Sequence, residues 1–223
     1  NGNEWYARVV NDGQWATDEP SLGVPGGLWP RGSNNSVLYD AGIWIVFKDD
    51  QDQIQFSGVR YNSDFTPGPY GAIDSDNENY RVYKVNRWDD ATVSDWSDWP
   101  VDMGAPWQDN NSDGTYDPAV DQPYLPLDQT LYSVYNDSTD PPVFGTSING
   151  IEVHQTIFGG VSAAHNDLSR TFFIKYEIIN KGSLSWHNAR FGPWSDVDLG
   201  DPTNDAIGVD VDSNMVYCYS AEA

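Results

Sequence analysis

Apolar and polar side chains alternate along most of this sequence, a period that is typical of β-strands and not of helices. The alternating stretches are rich in β-branched and aromatic residues and end at Gly, Pro, Asn or Asp. They span residues 4–10, 37–48, 53–60, 80–85, 130–137, 150–158, 171–180, 188–194, 206–212 and 214–220. No stretch has a convincing helical period, although 161–168 has room for one turn. The pattern predicts an all-β fold, a β-sandwich-like antiparallel domain with long loops.

The stretch 171–180, TFFIKYEIIN, shows how this period assigns side chains to faces. Residues 172, 174, 176 and 178 are all apolar or aromatic, whereas residues 173, 175, 177 and 179 read Phe, Lys, Glu, Ile. Successive side chains of a strand point to opposite faces. One face of this strand is therefore expected to be buried and the other mostly solvated.

Strand signals are missing between residues 86 and 129, where Trp, Pro, Asp and Gly replace them. The chain shows no internal repeat and no composition shift that marks a second domain. We therefore predict a single β-rich domain over 1–223 with a long Trp- and Asp-rich loop insertion at about 86–129. A loop of that length inside a compact domain needs something to order it.

The charge of the chain excludes some classes of partner. Its 34 acidic residues against 11 basic ones give a net charge of −23. Binding to phosphates needs clustered Lys and Arg, so nucleic acid and anionic membranes are expected to be poor partners. No apolar run has the length of a membrane span. Only six of the acids are Glu, and turns and oxygen-ligand loops favour the shorter Asp. A salt-adapted surface is the alternative explanation.

No residue pattern indicates an enzyme. The single cysteine, Cys218, excludes an intrachain disulfide and lies in a predicted strand, which favours a buried structural thiol. The three histidines, His154, His165 and His187, lack metalloprotease spacing. There is no phosphate-binding glycine loop or nucleophile elbow. A hydrolase that uses two of the Asp residues is left open by their abundance alone.

The stretch 108–122, QDNNSDGTYDPAVDQ, matches most of the calcium-loop pattern D-x-[DN]-x-[DN]-G. Alternate oxygen-bearing side chains around a glycine can converge on one cation, which takes six to eight oxygen ligands. Val120 stands where a bidentate Glu is expected, and Asp121 follows it. The loop resembles those of dockerins and thrombospondin type 3 repeats, and an Asx-rich turn is the alternative. We predict that Ca²⁺ orders it through Asp109, Asn111, Asp113, Thr115, Asp117 and Asp121.

A second acidic cluster occupies 194–212 and fits no fixed template. Its candidate cation ligands are Asp196, Asp198, Asp201, Asn204, Asp205 and Asp210. Asp residues at strand ends also cap turns, which is an equal alternative. For the third acidic stretch, DSDNEN at 74–79, a turn is favoured over a metal site.

Tryptophans cluster in the strand-poor segment at Trp88, Trp96, Trp99 and Trp107. Exposed indoles beside Asp residues would suit a sugar-binding platform. The same side chains would serve as the core of the long insertion, because each buries a large apolar area. The core role is favoured.

Several phrases together resemble one family over most of the chain from about residue 26. They include GGLWPRGSNNSVLYDAGIWI, YNSDFTPGPYG, YRVYKVNRWD, GAPWQDNNSDGTYDP, GIEVHQTIFGG, FFIKYEIINKGS and GPWSDVDLGDPTNDAIGVDVDSNMVYCYS. They resemble the N-terminal region of large secreted proteins of Bacteroidota that carry a C-terminal type IX secretion sorting domain. The resemblance implies export to the cell surface or medium.

These observations lead to two functional expectations. The first is an extracellular, calcium-stabilised structural or adhesive β domain of a surface layer, filament or matrix, which contacts copies of itself or neighbouring surface proteins. The alternative is a carbohydrate-binding module, or the non-catalytic part of a secreted polysaccharide-degrading enzyme.

Overall fold

Strands form most of the regular structure, and they follow the alternating stretches closely. The computed structural model describes residues 3–21, 23–72, 74–138, 142–161, 167–201 and 203–221. The strands are β1 (Tyr6–Ala7), β2 (Gly27–Leu28), β3 (Ser36–Lys48), β4 (Ile54–Gly58), β5 (Thr66–Pro67), β6 (Tyr83–Asn86), β7 (Trp107–Gln108), β8 (Gln122–Pro123), β9 (Gln129–Asn136), β10 (Ile151–Gly159), β11 (Phe172–Asn180), β12 (His187–Val197), β13 (Asp205–Asp210) and β14 (Met215–Ser220).

Helical structure within those described ranges is limited to four short segments. They are the helix α1 (Ser94–Ser97) and the 3₁₀ turns Glu78–Tyr80, Val101–Met103 and Asp167–Arg170. None of these is long and apolar enough to cross a membrane. The turn expected at 161–168 is seen only from Asp167, since 162–166 lie outside the described residues. The prediction of an all-β fold is confirmed.

Two antiparallel sheets of five strands each form the body of the fold. The first sheet runs β1-β2-β3-β12, with β4 also paired to β3. The second runs β11-β10-β9-β5, with β6 also paired to β9. Two smaller ribbons, β7-β8 and β13-β14, complete the arrangement.

Apolar side chains of the facing sheets form the inner core. Ile43, Ile45 and Phe47 alternate along β3 and meet Tyr135 of β9 and Val153 of β10. Burial of one such side chain contributes about 1.5–3 kcal/mol. The two sheets therefore pack face to face as a sandwich, as the period of two predicts.

The segment 86–129 is ordered by a hydrophobic core of its own, which we call the insert core. Trp96, Trp99 and Ala105 of the segment pack against Tyr132 and Val134, which point away from the inner core because they alternate with residue 135. The second sheet is thus covered on both faces around β9, whereas one face of β11 stays exposed to solvent. Apolar burial orders the long insertion, in line with the core role favoured for its tryptophans.

The two sheets end in edge strands of different character. In the part of the chain that the structure describes, β12 pairs only with β3, and its register shifts twice, between 187 and 190 and between 196 and 197. It also contains Pro193. In contrast, β11 pairs with β10 over nine consecutive residues with no shift. The edge of β12 is irregular and that of β11 is regular.

The hairpin β13-β14 projects from the sandwich. Its strands pair with each other from Asp205↔Ser220 to Asp210↔Met215, and with no other described strand. Ile207, Val209 and Val216 are more than 60% exposed. An isolated two-stranded hairpin is marginally stable in water, so contacts at its base determine whether it stays ordered.

Candidate metal centres

Asp109 organises the loop at 109–121. Its Oδ1 accepts hydrogen bonds from the backbone N–H groups of Ser112 (2.6 Å) and Asp113 (3.3 Å), and its Oδ2 accepts one from Gly114 (2.9 Å). Ser112 and Gly114 have positive φ, 62° and 76°, which folds the backbone around this carboxylate. The turn that Gly114 predicts is present. Asp109, the first of the predicted calcium ligands, lies at the centre of this turn.

Asn111, Asp113 and Asp117 of this loop also accept hydrogen bonds from backbone N–H groups. Asp113 Oδ1 accepts from the Thr115 N–H (2.8 Å), and Asp113 Oδ2 from the Asn111 amide (2.9 Å). Asp117 Oδ1 accepts from the Ala119 N–H (2.9 Å). A carboxylate oxygen has two lone pairs, so these bonds leave acceptor capacity for a cation. The geometry fits both an Asx-rich turn and a calcium loop.

Asp121 closes the loop and anchors it. The side chain is 3% exposed, its Oδ1 accepts from the Asn110 N–H (2.9 Å), and its Oδ2 accepts from the Asp117 N–H (2.8 Å). The Tyr116 hydroxyl donates to the Trp96 carbonyl (2.7 Å), which ties the loop to the insert core. The loop therefore has protein contacts that hold it in addition to any ion.

The second acidic cluster brings four carboxylates together where β12 leads into the hairpin. Burial raises the pKa of Asp198, and the charges of Asp205, Asp196 and Asp201 raise it further. Asp205 Oδ2 accepts from the Leu199 N–H (3.0 Å), which places the start of β13 beside the end of β12. Three of the predicted ligands are thus close enough to Asp198 for their negative charges to repel it.

Three oxygen atoms in this cluster are buried without a hydrogen-bond partner among the described residues. They are Asp198 Oδ1, Asn204 Oδ1 and Asp205 Oδ1. A buried acceptor without a partner costs about 1–3 kcal/mol, and more if it is charged. A cation is the group that would satisfy two carboxylates and an amide oxygen at once. Carboxylate and amide oxygens are the ligand type that hard metal ions prefer.

Three predicted ligands of the second cluster have other contacts. Asp196 Oδ2 accepts from the Tyr61 hydroxyl (2.9 Å), and Asp201 Oδ1 accepts from Thr203 N–H (3.0 Å). Asp210 is at the far end of β13 from Asp205, about 17 Å away at the usual rise per residue. There it accepts from Ser213 and caps the hairpin turn. The prediction that Asp210 shares a cation with the others is wrong, because an extended strand separates them.

Several of the remaining acidic side chains hold loops in place by accepting hydrogen bonds from backbone N–H groups. Asp40, Asp64 and Asp137 are each 2% exposed and accept two or more hydrogen bonds, most of them from backbone N–H groups. In the stretch 74–79, Asn77 caps the 3₁₀ turn by accepting from the Asn79 N–H (3.0 Å). The turn favoured there is present. Short Asp and Asn side chains are suited to this role, which explains part of the acidic composition.

The four tryptophans of the insertion do not share an exposed surface. Trp96 and Trp99 are buried in the insert core, and their indole N–H groups donate to the carbonyls of Pro118 and Pro106. Trp107 packs edge-on against a tyrosine of the loop, and Trp88 is 59% exposed. The core role is correct for the first two, and a sugar platform of all four is wrong.

Other predicted residues have structural partners. His154 and His187 lie 2.9 and 3.0 Å from the carboxylates of Glu152 and Asp50, while His165 is outside the described residues. Cys218 is a half-buried free thiol on β14, and burial raises its pKa. Across the described ranges no three His, Cys, Asp or Glu side chains form a metal-binding group. The candidate donors at 198–205 are of a different kind, since they are two carboxylates, of Asp198 and Asp205, and the amide oxygen of Asn204.

Sequence patterns did not indicate a cavity of about 300 Å³ between the N-terminal segment and the second sheet. Trp5, Tyr6, Trp15 and Phe172 contribute aromatic walls, and Lys84 adds a basic group. Phe172 makes edge contacts with both indoles, at centroid distances of 5.6 and 5.5 Å. The walls of the cavity come from separate stretches of sequence that only the fold brings together, so no local motif indicates them.

No protein-family model, curated protein or solved structure matches this chain. The geometry of its own residues therefore carries the functional conclusion.

Proposed function

We propose that this chain is a calcium-stabilised structural or adhesive β domain that works outside the cell, in a surface layer, filament or matrix. The observation that carries the calcium part is the set of three buried, partnerless oxygens on Asp198, Asn204 and Asp205. They lie in a cluster whose carboxylates raise the pKa of Asp198, so a cation would remove both the repulsion and the unmet hydrogen-bonding capacity.

The chemistry of the donors favours calcium over other metals. The candidate ligands at both centres are carboxylate, amide and carbonyl oxygens, which suit hard cations, whereas zinc and copper prefer nitrogen and sulfur. Calcium tolerates irregular sets of six to eight oxygens, while magnesium demands a near-ideal octahedron. Irregular spacing, as in 196–205, is therefore better suited to calcium.

The extracellular part of the proposal is supported by two features. The chain resembles secreted Bacteroidota proteins in the order of its motifs, and its candidate metal centres offer the oxygen ligands that calcium-binding modules use. The exposed hairpin β13-β14 and the edge strands offer backbone and apolar surface for contact with neighbouring proteins. These features support a role in assembly.

Calorimetric titration with Ca²⁺ tests the metal. We expect binding that Asp198→Asn and Asp205→Asn each weaken strongly, since each removes a carboxylate from the second centre. Asp113→Ala should separately remove binding at 109–121. If the unmodified chain binds no calcium up to about 10 mM, ten times the weak end of the extracellular range, the metal part of the proposal fails.

Electron microscopy of native material tests the assembly. We expect layers, filaments or matrix that contain the protein. If the protein is found only as dispersed monomers, the assembly part of the proposal fails.

The aromatic cavity favours a second candidate, a carbohydrate-binding module. Aromatic walls with a few polar groups are typical of ligand sites, and sugars stack on such rings. A glycan array tests this: binding that Tyr6→Ala abolishes and Trp88→Ala leaves intact would place a glycan in the cavity. If the unmodified chain binds no glycan, this candidate is removed.

A further inference from the structure

The strand β11 presents a long, regular edge. Phe172–Asn180 pairs with β10 along its full length, from Gly159↔Phe172 to Ile151↔Asn180, and with no other described strand. Half of the backbone N–H and C=O groups of such a strand point away from its neighbour. An edge of this kind is a template for one more strand.

Two of the devices that protect a sheet edge, an irregular register and a proline, are present on β12 and not on β11. The two register shifts and the proline of β12 twist that strand and remove a donor. The nine residues of β11 contain neither proline nor glycine, and their register is unbroken. Of the two edges, β11 is the one suited to pairing.

The solvent-facing side chains of β11 form a self-complementary row. In order they are Phe173, Lys175, Glu177 and Ile179, and the Lys175 and Glu177 side chains are 59% and 57% exposed. Their charged groups are 3.7 Å apart within the strand, and neither forms an ion pair with any other of the described residues. When this row is placed beside a second copy of itself that runs in the opposite direction, each charged residue lies opposite a residue of opposite charge. Each apolar residue then lies opposite an apolar residue.

We infer that the edge of β11 pairs antiparallel with β11 of a second copy of this chain, with the two-fold axis at Tyr176. In this register Lys175 lies opposite Glu177 of the second copy, and Phe173 lies opposite its Ile179. The charge pair and the apolar pair each occur twice by symmetry, as an isologous interface requires. The solvent-facing sides of the two second sheets then form one continuous surface.

Neighbouring registers are less favourable. An axis at residue 175 places Lys175 against its own copy, and an axis at 177 does the same for Glu177, which is destabilising across strands. A shift by one residue places side chains of one face against those of the other. Charge complementarity therefore selects the axis at residue 176.

This inference deepens the assembly part of the proposed function by naming the partner and the surface. It involves none of the residues proposed to bind calcium. Dimerisation measured in excess chelator therefore tests the β11 contact independently of the metal.

Sedimentation velocity over a range of protein concentrations, in chelator, is the test. We expect a reversible dimer for the unmodified chain. Lys175→Glu and Glu177→Lys each replace two attractive pairs with two repulsive ones, which should weaken dimerisation by about tenfold or more. An equimolar mixture of these two variants should dimerise again, because every charge then faces an opposite charge. The double variant should also dimerise.

Lys48→Glu is the matched control, since it makes the same charge change on β3, away from the β11 edge, and should leave the dimer intact. Amide exchange of 173–179 should slow with concentration in the unmodified chain, a readout that does not depend on variants folding. A chain that stays monomeric at all accessible concentrations overturns the inference. So does a dimer that the single charge changes do not weaken, or that their mixture does not restore.

Discussion

Replacement of Asp198 by Asn should change the stability of the protein in opposite directions with and without calcium. In chelator, the change removes a negative charge from beside Asp205, Asp196 and Asp201, whose charges raise the pKa of Asp198. Relief of one such repulsion contributes roughly 0.5–1 kcal/mol in a water-like dielectric. The variant should therefore be slightly more stable than the unmodified chain.

In 10 mM calcium the order should reverse. A site with a dissociation constant of about 10⁻⁴–10⁻³ M adds roughly 1.4–2.7 kcal/mol at that concentration. For a domain of this size, 1 kcal/mol shifts the melting temperature by about 2–4 °C, so the second centre should contribute roughly 3–11 °C. Asp198→Asn should lose most of that increment, whereas the loop at 109–121 contributes equally to both proteins.

Thermal melts followed by circular dichroism, in chelator and in calcium, measure both effects. Asp210→Asn is the control: it removes an acid from the same strand system, but at the far end of β13. Its calcium-dependent shift should equal that of the unmodified chain. The reasoning is refuted if Asp198→Asn keeps the full calcium shift, or if Asp210→Asn loses as much of it.

Three further outcomes are expected. Trp99→Ala should lower the free energy of unfolding by about 3–5 kcal/mol in denaturant titrations, because the ring is 3% exposed, whereas Trp88→Ala should cost less than about 0.5 kcal/mol. Gly104→Ala should be more destabilising than Gly114→Ala: both have positive φ, but only at Gly104 would a Cβ collide with a side chain, 2.2 Å from a histidine ring. The raised pKa of Asp198 means that the folded state holds this proton more tightly, so its unfavourable contribution in chelator should diminish as pH falls toward that pKa. Subtracting the Asp198→Asn stability profile from that of the unmodified chain isolates this contribution, and a difference that does not change with pH would contradict it.

Local patterns predicted the strands well, because alternation is a property of neighbouring residues. The strand predicted at 171–180 is β11 (Phe172–Asn180), and the strand predicted at 37–48 is β3 (Ser36–Lys48). The same patterns could not separate Trp99 from Trp88, since burial depends on which segment covers a sheet. They also grouped Asp210 with Asp198, which are close in sequence. The two are far apart in the structure because the extended strand β13 lies between them. The partnerless oxygens at 198–205 are a tertiary property that no residue spacing encodes.

The pairing of β3 with β12 has a consequence for how the chain acquires its structure. The two strands are about 140 to 160 positions apart in sequence, and all five strands of the second sheet lie between them. Closing so long a loop costs entropy before any contact compensates for it, which slows folding. During synthesis, the ladder of β3 is complete only once residues 187–197 have been made. Until then its edge and its apolar side chains are open to wrong partners, so this domain is expected to depend on chaperones until residue 197 has emerged.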